Sequence, residues 1–180
     1  MMVLVGASAS GKTELAKILK SKYKYQKCIT TTTRQPRENE VNGVDYHFVS
    51  LDEFDVLREQ NEFLEVTNYQ NQWYGIQRKD VKLNGIVIVD PSGANHLVES
   101  LRRDVFVVYV QTDEKIRKER MIARGDLLSN IQKRVLLDRD VFQIDNFVRI
   151  DFILRNETQA LDNLADILHE EYQKAYQHMK

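Results

Sequence analysis

The sequence has little cysteine, proline and glycine, and each shortage excludes a class of protein. Its single cysteine, Cys28, cannot form an internal disulfide, which argues against a small disulfide-stabilised fold. Two prolines and seven glycines among 180 residues exclude collagen-like and low-complexity chains. No apolar run approaches the length of a membrane-spanning helix. What remains is the composition of an ordinary globular domain.

The sequence also has no excess of charge of either sign, because 26 basic residues are nearly balanced by 27 acidic ones. A net charge of −1 gives no reason to expect a nucleic-acid or membrane partner, so any basic site must be local. The four histidines are scattered without the spacing of zinc ligands. A cytoplasmic location is the default expectation, and no pattern in the sequence indicates an oligomeric state.

Short apolar runs alternate with helical patterns along the chain. Continuous Val and Ile runs predict buried strands at residues 2–5, 86–89, 105–110 and 152–154, with a weaker candidate at 28–30. Helical patterns cover residues 12–23, 52–61, 95–102, 113–123 and 126–141, and a last helix carries an apolar stripe from Leu161 to Tyr172. Ser50 and Glu53 form a capping-box pattern. The alternation predicts an α/β fold with a parallel sheet.

Residues 6–13, GASASGKT, match the phosphate-loop pattern G-x-x-x-x-G-K-[ST] in full. Glycines let successive backbone N–H groups face one anion, and the helix that follows adds its positive end. Lys12 is expected to reach the β and γ phosphates, and the Thr13 hydroxyl to bind Mg²⁺. The sequence therefore predicts ATP and Mg²⁺ as ligands. The predicted ATP-binding residues are Gly6, Ala7, Ser8, Ala9, Ser10, Gly11, Lys12 and Thr13.

The acceptor side has its own motif, TTTRQPRE at residues 31–38 followed by NGVDYHFVS at 42–50. Arg34 and Arg37 are three positions apart across a proline, so both can donate forked hydrogen bonds to one phosphate. Tyr46 and Tyr74 offer neutral hydroxyl donors to the same anion.

Together with FLE at 63–65 and WYG at 73–75, these motifs resemble the guanylate kinases, a family of P-loop nucleoside monophosphate kinases, over nearly the whole chain. The resemblance implies a P-loop NTPase three-layer α/β fold with a parallel five-stranded central sheet. It implies a single kinase domain at 1–180, with its core at 1–30, 78–112 and 142–180. An NMP-binding insertion is expected at about 31–77 and a helical lid at about 113–141. The implied reaction is ATP-dependent phosphorylation of GMP, or dGMP, to the diphosphate.

The resemblance also implies a role for each matching residue. Arg34, Arg37, Tyr46 and Tyr74 would hold the GMP phosphate. Thr30, Glu65 and Asp90 would recognise guanine. Lys12 and the lid arginines Arg120, Arg124 and Arg134 would be catalytic. Asn156 either corresponds to a family asparagine or caps the last helix together with Gln159.

Two positions depart from the family pattern. Ile88 stands where the family usually has an aspartate, and Ile76 where it has Thr or Ser, so both changes remove polar groups near the base and metal sites. They favour one alternative, a related P-loop kinase for another nucleotide or a ribose phosphate. A second alternative is a non-catalytic guanylate-kinase-like binding module, a class that commonly lacks the loop lysine kept here as Lys12.

Overall fold

A computed structural model describes residues 1–179, so the predicted domain end at residue 180 lies outside the described part. The strands are β1 (Met2–Val5), β2 (Gln26–Lys27), β3 (Thr30–Thr32), β4 (His47–Phe48), β5 (Phe63–Tyr69), β6 (Gln72–Gln77), β7 (Gly85–Ile88), β8 (Phe106–Gln111) and β9 (Phe152–Arg155). The helices are α1 (Lys12–Tyr23), α2 (Leu51–Glu59), α3 (Pro91–Leu101), α4 (Glu114–Ala123), α5 (Leu128–Val141) and α6 (Leu161–Met179). Short 3₁₀ turns lie at Arg78–Asp80, Arg102–Asp104 and Ile144–Asn146.

The central sheet has five parallel strands in the order β2-β7-β1-β8-β9, as predicted. Side chains of β1 alternate between its faces, so Met2 and Leu4 pack with α1 and α6 while Val3 and Val5 pack with α3. Helices therefore cover both faces, and the predicted three-layer α/β fold is confirmed. The carboxyl end of β1 leads directly into the phosphate loop.

A second sheet of four strands, β4-β3-β6-β5, was not expected from the sequence. Strand β6 pairs antiparallel with both β3 and β5. Phe54 of α2 stacks on Phe63 and Trp73, with ring centroids 4.6 and 6.2 Å away, so the helix covers one side of this sheet. Polar and aromatic residues dominate these strands, so none of them contains the continuous apolar run that predicts a buried strand.

The weak strand predicted at residues 28–30 is wrong. Strand β2 ends at Lys27 in the central sheet, and β3 begins at Thr30 in the second sheet. Cys28, which is buried, and Ile29 lie between the two strands, and these two apolar residues gave the pattern of a single strand.

The predicted helices are all present, and most of them have shifted ends. Helix α1 has the predicted bounds, and the Ser50–Glu53 capping box is formed at the start of α2. Helix α3 begins four residues earlier than predicted, because the Asp90 side chain accepts a hydrogen bond from the Gly93 N–H and Pro91 occupies the first turn. Among residues 1–179, no helix is both long and apolar enough to cross a membrane.

Candidate active site

A cavity of about 420 Å³ opens at the carboxyl end of β1. It brings together residues that are far apart in the sequence and were predicted separately. Predicted site residues in its lining are Gly6, Ser8, Ala9, Ser10, Gly11, Lys12, Thr13, Thr30, Arg34, Arg37, Tyr46, Tyr74, Asp90, Arg120, Arg124 and Arg134. Ala7 and Glu65 are the predicted site residues outside this lining within residues 1–179.

The backbone of the phosphate loop needs unusual torsion angles. Gly6 and Gly11 have φ values of 146° and 97°, and Ala9 adopts the left-handed region at 61°. A Cβ at Gly11 would come within 2.2 Å of Asn156 Nδ2, so glycine is required there by space as well as by φ. This curl directs the loop's backbone around the start of α1, where N–H groups and the helix dipole favour an anion.

Lys12 is folded back against its own loop. Its Nζ donates to the carbonyl oxygens of Gly6 at 2.5 Å and Ala7 at 2.9 Å, and to Ser10 Oγ at 3.2 Å. Burial lowers the pKa of Lys12 to about 8, against the opposing effect of the Asp138 carboxylate. The ammonium is thus held at the cavity wall, ready to exchange these neutral acceptors for a phosphate oxygen.

The Thr13 hydroxyl offers an oxygen ligand of the kind Mg²⁺ prefers. Thr13 is exposed in the first turn of α1 and lines the cavity beside Lys12. Within residues 1–179, no three His, Cys, Asp or Glu side chains are grouped to hold a metal. Mg²⁺ commonly keeps several waters and uses substrate phosphates with few protein ligands, so this donor set fits a metal that arrives with the nucleotide.

The two acceptor arginines meet at Glu40, which sequence reasoning did not single out. Arg34 Nη2 donates to both carboxylate oxygens of Glu40 at 2.9 Å, and Arg37 Nη1 donates at 3.5 Å. The Arg34 guanidinium also lies 5.2 Å from the centroid of the Tyr46 ring. Glu40 therefore orients both arginines towards the cavity, and could have been noticed as an acidic residue close after the motif.

Tyr46 and Tyr74 complete the acceptor wall, with ring centroids 6.4 Å apart. The Arg37 side chain is 51% exposed, against 16% for Arg34, so Arg37 is the more available of the two guanidinium groups. Burial lowers the pKa of Arg37, and the charges of Arg34, Arg124 and Arg134 act in the same direction. Several arginines therefore bring positive charge to one cavity.

The far wall of the cavity is formed by Thr30, Thr67, Ile88 and Asp90. The Asp90 carboxylate caps α3 and accepts a hydrogen bond from Thr67 Oγ1 at 2.9 Å. Ile88 places an apolar surface in the lining, whereas Ile76 is fully buried in the core. The two departures from the family pattern therefore differ, since only Ile88 changes the cavity surface.

Glu65 is buried just outside the cavity lining, only 4% exposed. Neither carboxylate oxygen has a well-formed hydrogen bond among residues 1–179, although the nearby Ile76 N–H lowers the pKa of this carboxyl against the larger effects that raise it. Burial, together with the nearby Asp90 charge, raises the pKa of Glu65 to about 8. A buried carboxyl without partners is costly to the fold, which points to a ligand as its missing partner.

The three predicted lid arginines approach the cavity from α4 and α5. Arg120 donates to the Ala9 carbonyl oxygen at 3.3 Å, so it already contacts the phosphate loop. Asp126 pairs with Arg124 at 2.5 Å and with Arg134 at 3.4 Å. The Asp126 carboxylate thus holds two of the three guanidinium groups in position at the cavity.

Asn156 does not cap the last helix, because α6 begins only at Leu161. Instead the buried Asn156 Nδ2 donates to the Ser10 carbonyl oxygen at 2.8 Å, and its Oδ1 accepts from Arg120 at 3.3 Å. The capping interpretation was wrong, and the side chain supports the phosphate loop. A second support, Asp138, accepts a hydrogen bond from the Ser8 N–H and was also missed.

The chain combines a parallel sheet covered by helices, a phosphate loop contacted by Lys12 and several arginines that line the same cavity. These features define the class of P-loop phosphotransferases that act on small phosphorylated acceptors. The guanylate kinase family model matches residues 1–171. The chain therefore belongs to the guanylate kinase family.

Individual relatives agree with this assignment. A guanylate kinase of Helicobacter pylori is 34% identical over 166 residues, covering 87% of this chain and 79% of that protein. One from Enterococcus faecalis is 30% identical over 183 residues, covering 96% and 89%.

Solved structures match the fold. The guanylate kinase of Anaplasma phagocytophilum has a TM-score of 0.71 at 21% identity, covering 97% of this chain and 84% of that one. A gluconokinase from Sinorhizobium meliloti 1021 has a TM-score of 0.51 at 15% identity, covering 98% and 93%. The chain is thus a guanylate kinase-type phosphotransferase, of the class that catalyses ATP + GMP = ADP + GDP.

Proposed function

We propose that the cavity at the end of β1 carries out this reaction, with the phosphate loop holding ATP and the arginine–tyrosine wall holding GMP. The observation that carries the proposal is the shared cavity, in which Lys12 and the Arg34–Arg37 pair line one space. Donor and acceptor phosphates bound to these groups would face each other, as in-line transfer requires.

On the acceptor side, Arg34, Arg37, Tyr46 and Tyr74 hold the GMP phosphate. Two guanidinium groups and two hydroxyls can satisfy several phosphate oxygens at once, and the guanidinium contacts are charge-assisted. The phosphate competes with Glu40 for both arginines, so Glu40 keeps them oriented when the acceptor is absent.

On the donor side, residues 6–13 surround the ATP phosphates, and Lys12 moves from the Gly6 and Ala7 carbonyls to a phosphate oxygen. Arg120, Arg124 and Arg134 stabilise charge on the transferring phosphoryl group. The Thr13 hydroxyl would hold Mg²⁺ together with the nucleotide phosphates, and the metal would supply charge neutralisation and phosphate orientation there. The attacking group is already an anionic phosphate, so the site needs no general base.

Guanine recognition is assigned to Thr30, Glu65 and Asp90. Guanine presents N1–H and N2–H₂ donors, which match an ionised carboxylate, and an O6 acceptor, which matches a hydroxyl. Because Glu65 lies outside the present lining, base binding requires the cavity to open towards it. The unpartnered carboxylate oxygens of Glu65 support this assignment.

The moving parts are proposed to be residues of about 31–77 and 113–141. The first range contains the four-stranded sheet and α2, and the second contains α4 and α5. The core would comprise about 1–30, 78–112 and 142–180. Closure of both parts over the nucleotides would exclude water and bring the arginines of both parts to the phosphates.

The alternatives receive less support. A kinase for another phosphorylated acceptor is favoured by the apolar Ile88, but the buried Glu65 has no evident purpose for a ligand lacking guanine's donors. A non-catalytic binding module does not require Lys12 or the phosphate-loop geometry described above.

Replacing Arg37 by alanine tests the assignment of the two sides. We expect Arg37→Ala to raise the KM for GMP by about tenfold or more, since a charge-assisted bond is lost, with little change in the KM for ATP. Arg58→Ala is the matched control, because Arg58 of α2 pairs with Asp55, lies 5.4 Å from the Trp73 ring centroid and is outside the cavity lining. We expect this variant to leave both KM values unchanged. An equal effect of Arg37→Ala on both substrates would remove Arg37 from the acceptor side.

A further inference from the structure

The Asp138 carboxylate is a junction between parts of the molecule that are distant in sequence. Its Oδ2 accepts from the Ser8 N–H at 2.8 Å and from Arg117 Nη1 at 3.2 Å. Its Oδ1 accepts from the Tyr69 hydroxyl at 2.5 Å. The Asp138 side chain is completely buried, and that of Arg117 is 7% exposed.

Each partner belongs to a different element of the proposed site. Ser8 lies in the phosphate loop, and Tyr69 ends β5, the strand that also carries Glu65. Arg117 lies on α4 with Arg120, and Asp138 lies on α5 with Arg134. One carboxylate therefore connects the phosphate loop, the four-stranded sheet that carries Glu65 (here called the acceptor sheet) and the helices α4 and α5.

Stability alone is a poor explanation for this arrangement. An ion pair removed from water is often no better for stability than an apolar pair of similar volume. Arg117 is also incompletely satisfied, since its Nε has no partner among residues 1–179. A charged pair differs from an apolar pair in fixing orientation, because each donor must meet a particular carboxylate oxygen.

We propose that Asp138 is a positioning residue that couples ATP binding to GMP binding. This inference rests on the proposed function. ATP orders the phosphate loop, Ser8 fixes the Asp138 carboxylate, and the carboxylate fixes Tyr69 and hence the strand that carries Glu65. The reverse path holds as well, since coupling between two binding sites is reciprocal.

The test removes a single hydroxyl group. Tyr69→Phe deletes the bond to Asp138 and the bond that the hydroxyl accepts from the neighbouring Gln70 Nε2 at 2.9 Å. It keeps the ring that packs edge-on against Phe142, at a centroid distance of 6.2 Å. GMP affinity is measured by calorimetry with and without Mg²⁺ and the unreactive β,γ-imido analogue of ATP. We expect the analogue to tighten GMP binding at least about fivefold in the wild type and less than about twofold in Tyr69→Phe.

Tyr23→Phe is the matched control. It removes a hydroxyl that also donates to a carboxylate, Asp166 at 2.6 Å. Tyr69 lines the cavity and Tyr23 does not, so the affinity of Tyr69→Phe for each nucleotide alone is measured to detect any loss of a direct contact. We expect this control to keep the wild-type coupling, and the affinity of Tyr69→Phe for each nucleotide alone to stay within about threefold of wild type.

Two results would overturn the inference. If Tyr69→Phe retains the full effect of the analogue, or the wild type shows none while still phosphorylating GMP, then the junction does not couple the sites. A wild-type protein that neither binds nor phosphorylates GMP would instead overturn the proposed function, and this inference with it.

Discussion

At the scale of single residues, Glu65 has the environment most at odds with ordinary carboxylate chemistry. It is nearly inaccessible to water, lies close to Asp90 and has a pKa raised to about 8. In the free protein at neutral pH it is therefore mainly the neutral acid. The ionised form that guanine's two donors require is available only at a cost that falls as pH rises.

GMP affinity should consequently depend on pH. Below pH 8 the carboxyl must lose a proton before it accepts from guanine, so affinity should rise by up to about tenfold per pH unit between pH 6 and 8 and then level off. Calorimetry of GMP binding at pH 6, 7 and 8 measures this slope. Glu65→Gln, which has no proton to lose, should bind more weakly and keep only the shallower rise that the second ionisation of the GMP phosphate, at about pH 6, gives to both proteins. A wild-type affinity identical at pH 6 and 8 would contradict the role given to Glu65.

Two glycines separate the effect of backbone strain from the effect of space. Gly11→Ala adds a Cβ within 2.2 Å of Asn156 Nδ2 at a φ of 97°, so it should abolish measurable ATP binding. Gly43→Ala meets nothing within 4 Å, although φ there is also positive, at 77°. Strain alone should cost Gly43→Ala about 1–2 kcal/mol of folding free energy and leave ATP binding intact. Calorimetric ATP titrations of both variants give the comparison, and unimpaired ATP binding by Gly11→Ala would show that the loop tolerates the side chain.

At the scale of elements, each helix and strand depends on a few local signals. Helix α2 begins at a complete capping box, in which Ser50 Oγ accepts from the Glu53 N–H at 3.2 Å and Glu53 accepts from the Ser50 N–H at 2.7 Å. The helix covers one side of the acceptor sheet through Phe54. The cap therefore supports the stability of an element that lies behind the site without taking part in the reaction.

Removal of this cap should change stability without changing chemistry. Ser50→Ala is expected to lower the free energy of unfolding by about 1 kcal/mol, measured by urea denaturation, with kcat unchanged. Ser21→Ala is the matched control, because the exposed Ser21 hydroxyl bonds back to the Ile18 carbonyl oxygen within α1. It should change the free energy of unfolding by less than about 0.5 kcal/mol. An equal decrease in the free energy of unfolding of the two variants would show that the capping box does not stabilise the protein more than an ordinary surface hydroxyl does.

The elements also show which parts of the structure could be predicted from the sequence. Continuous apolar runs identified four strands of the central sheet because both of its faces are buried, and residues 2–5 are the clearest example. The acceptor sheet gave no such signal, since β5 and β6 mix buried residues with polar ones that face the cavity. Local patterns could locate Arg34 and Arg37 through their motif. They could not reveal Asp138, whose contacts lie 130 and 69 residues away in the chain.

At the scale of the whole molecule, a nearly neutral chain concentrates positive charge in one place. The net charge is −1, yet six basic side chains, those of Lys12, Arg34, Arg37, Arg120, Arg124 and Arg134, line the same cavity. Glu40 and Asp126 hold four of these arginines in ion pairs at the cavity. This arrangement suits two polyanionic nucleotides, whose phosphates must approach each other against their own repulsion.

The central claim is that guanine nucleotide is the acceptor, and the most direct test is ADP production from MgATP with each acceptor in turn. GMP, dGMP, AMP, UMP and ribose 5-phosphate would be compared at equal concentrations, with Lys12→Ala as the inactive reference. We predict turnover with GMP and dGMP that exceeds turnover with the other acceptors by about a hundredfold or more, because a site built for guanine's donors rejects analogues that lack them. Turnover with UMP or ribose 5-phosphate and none with GMP would contradict the account.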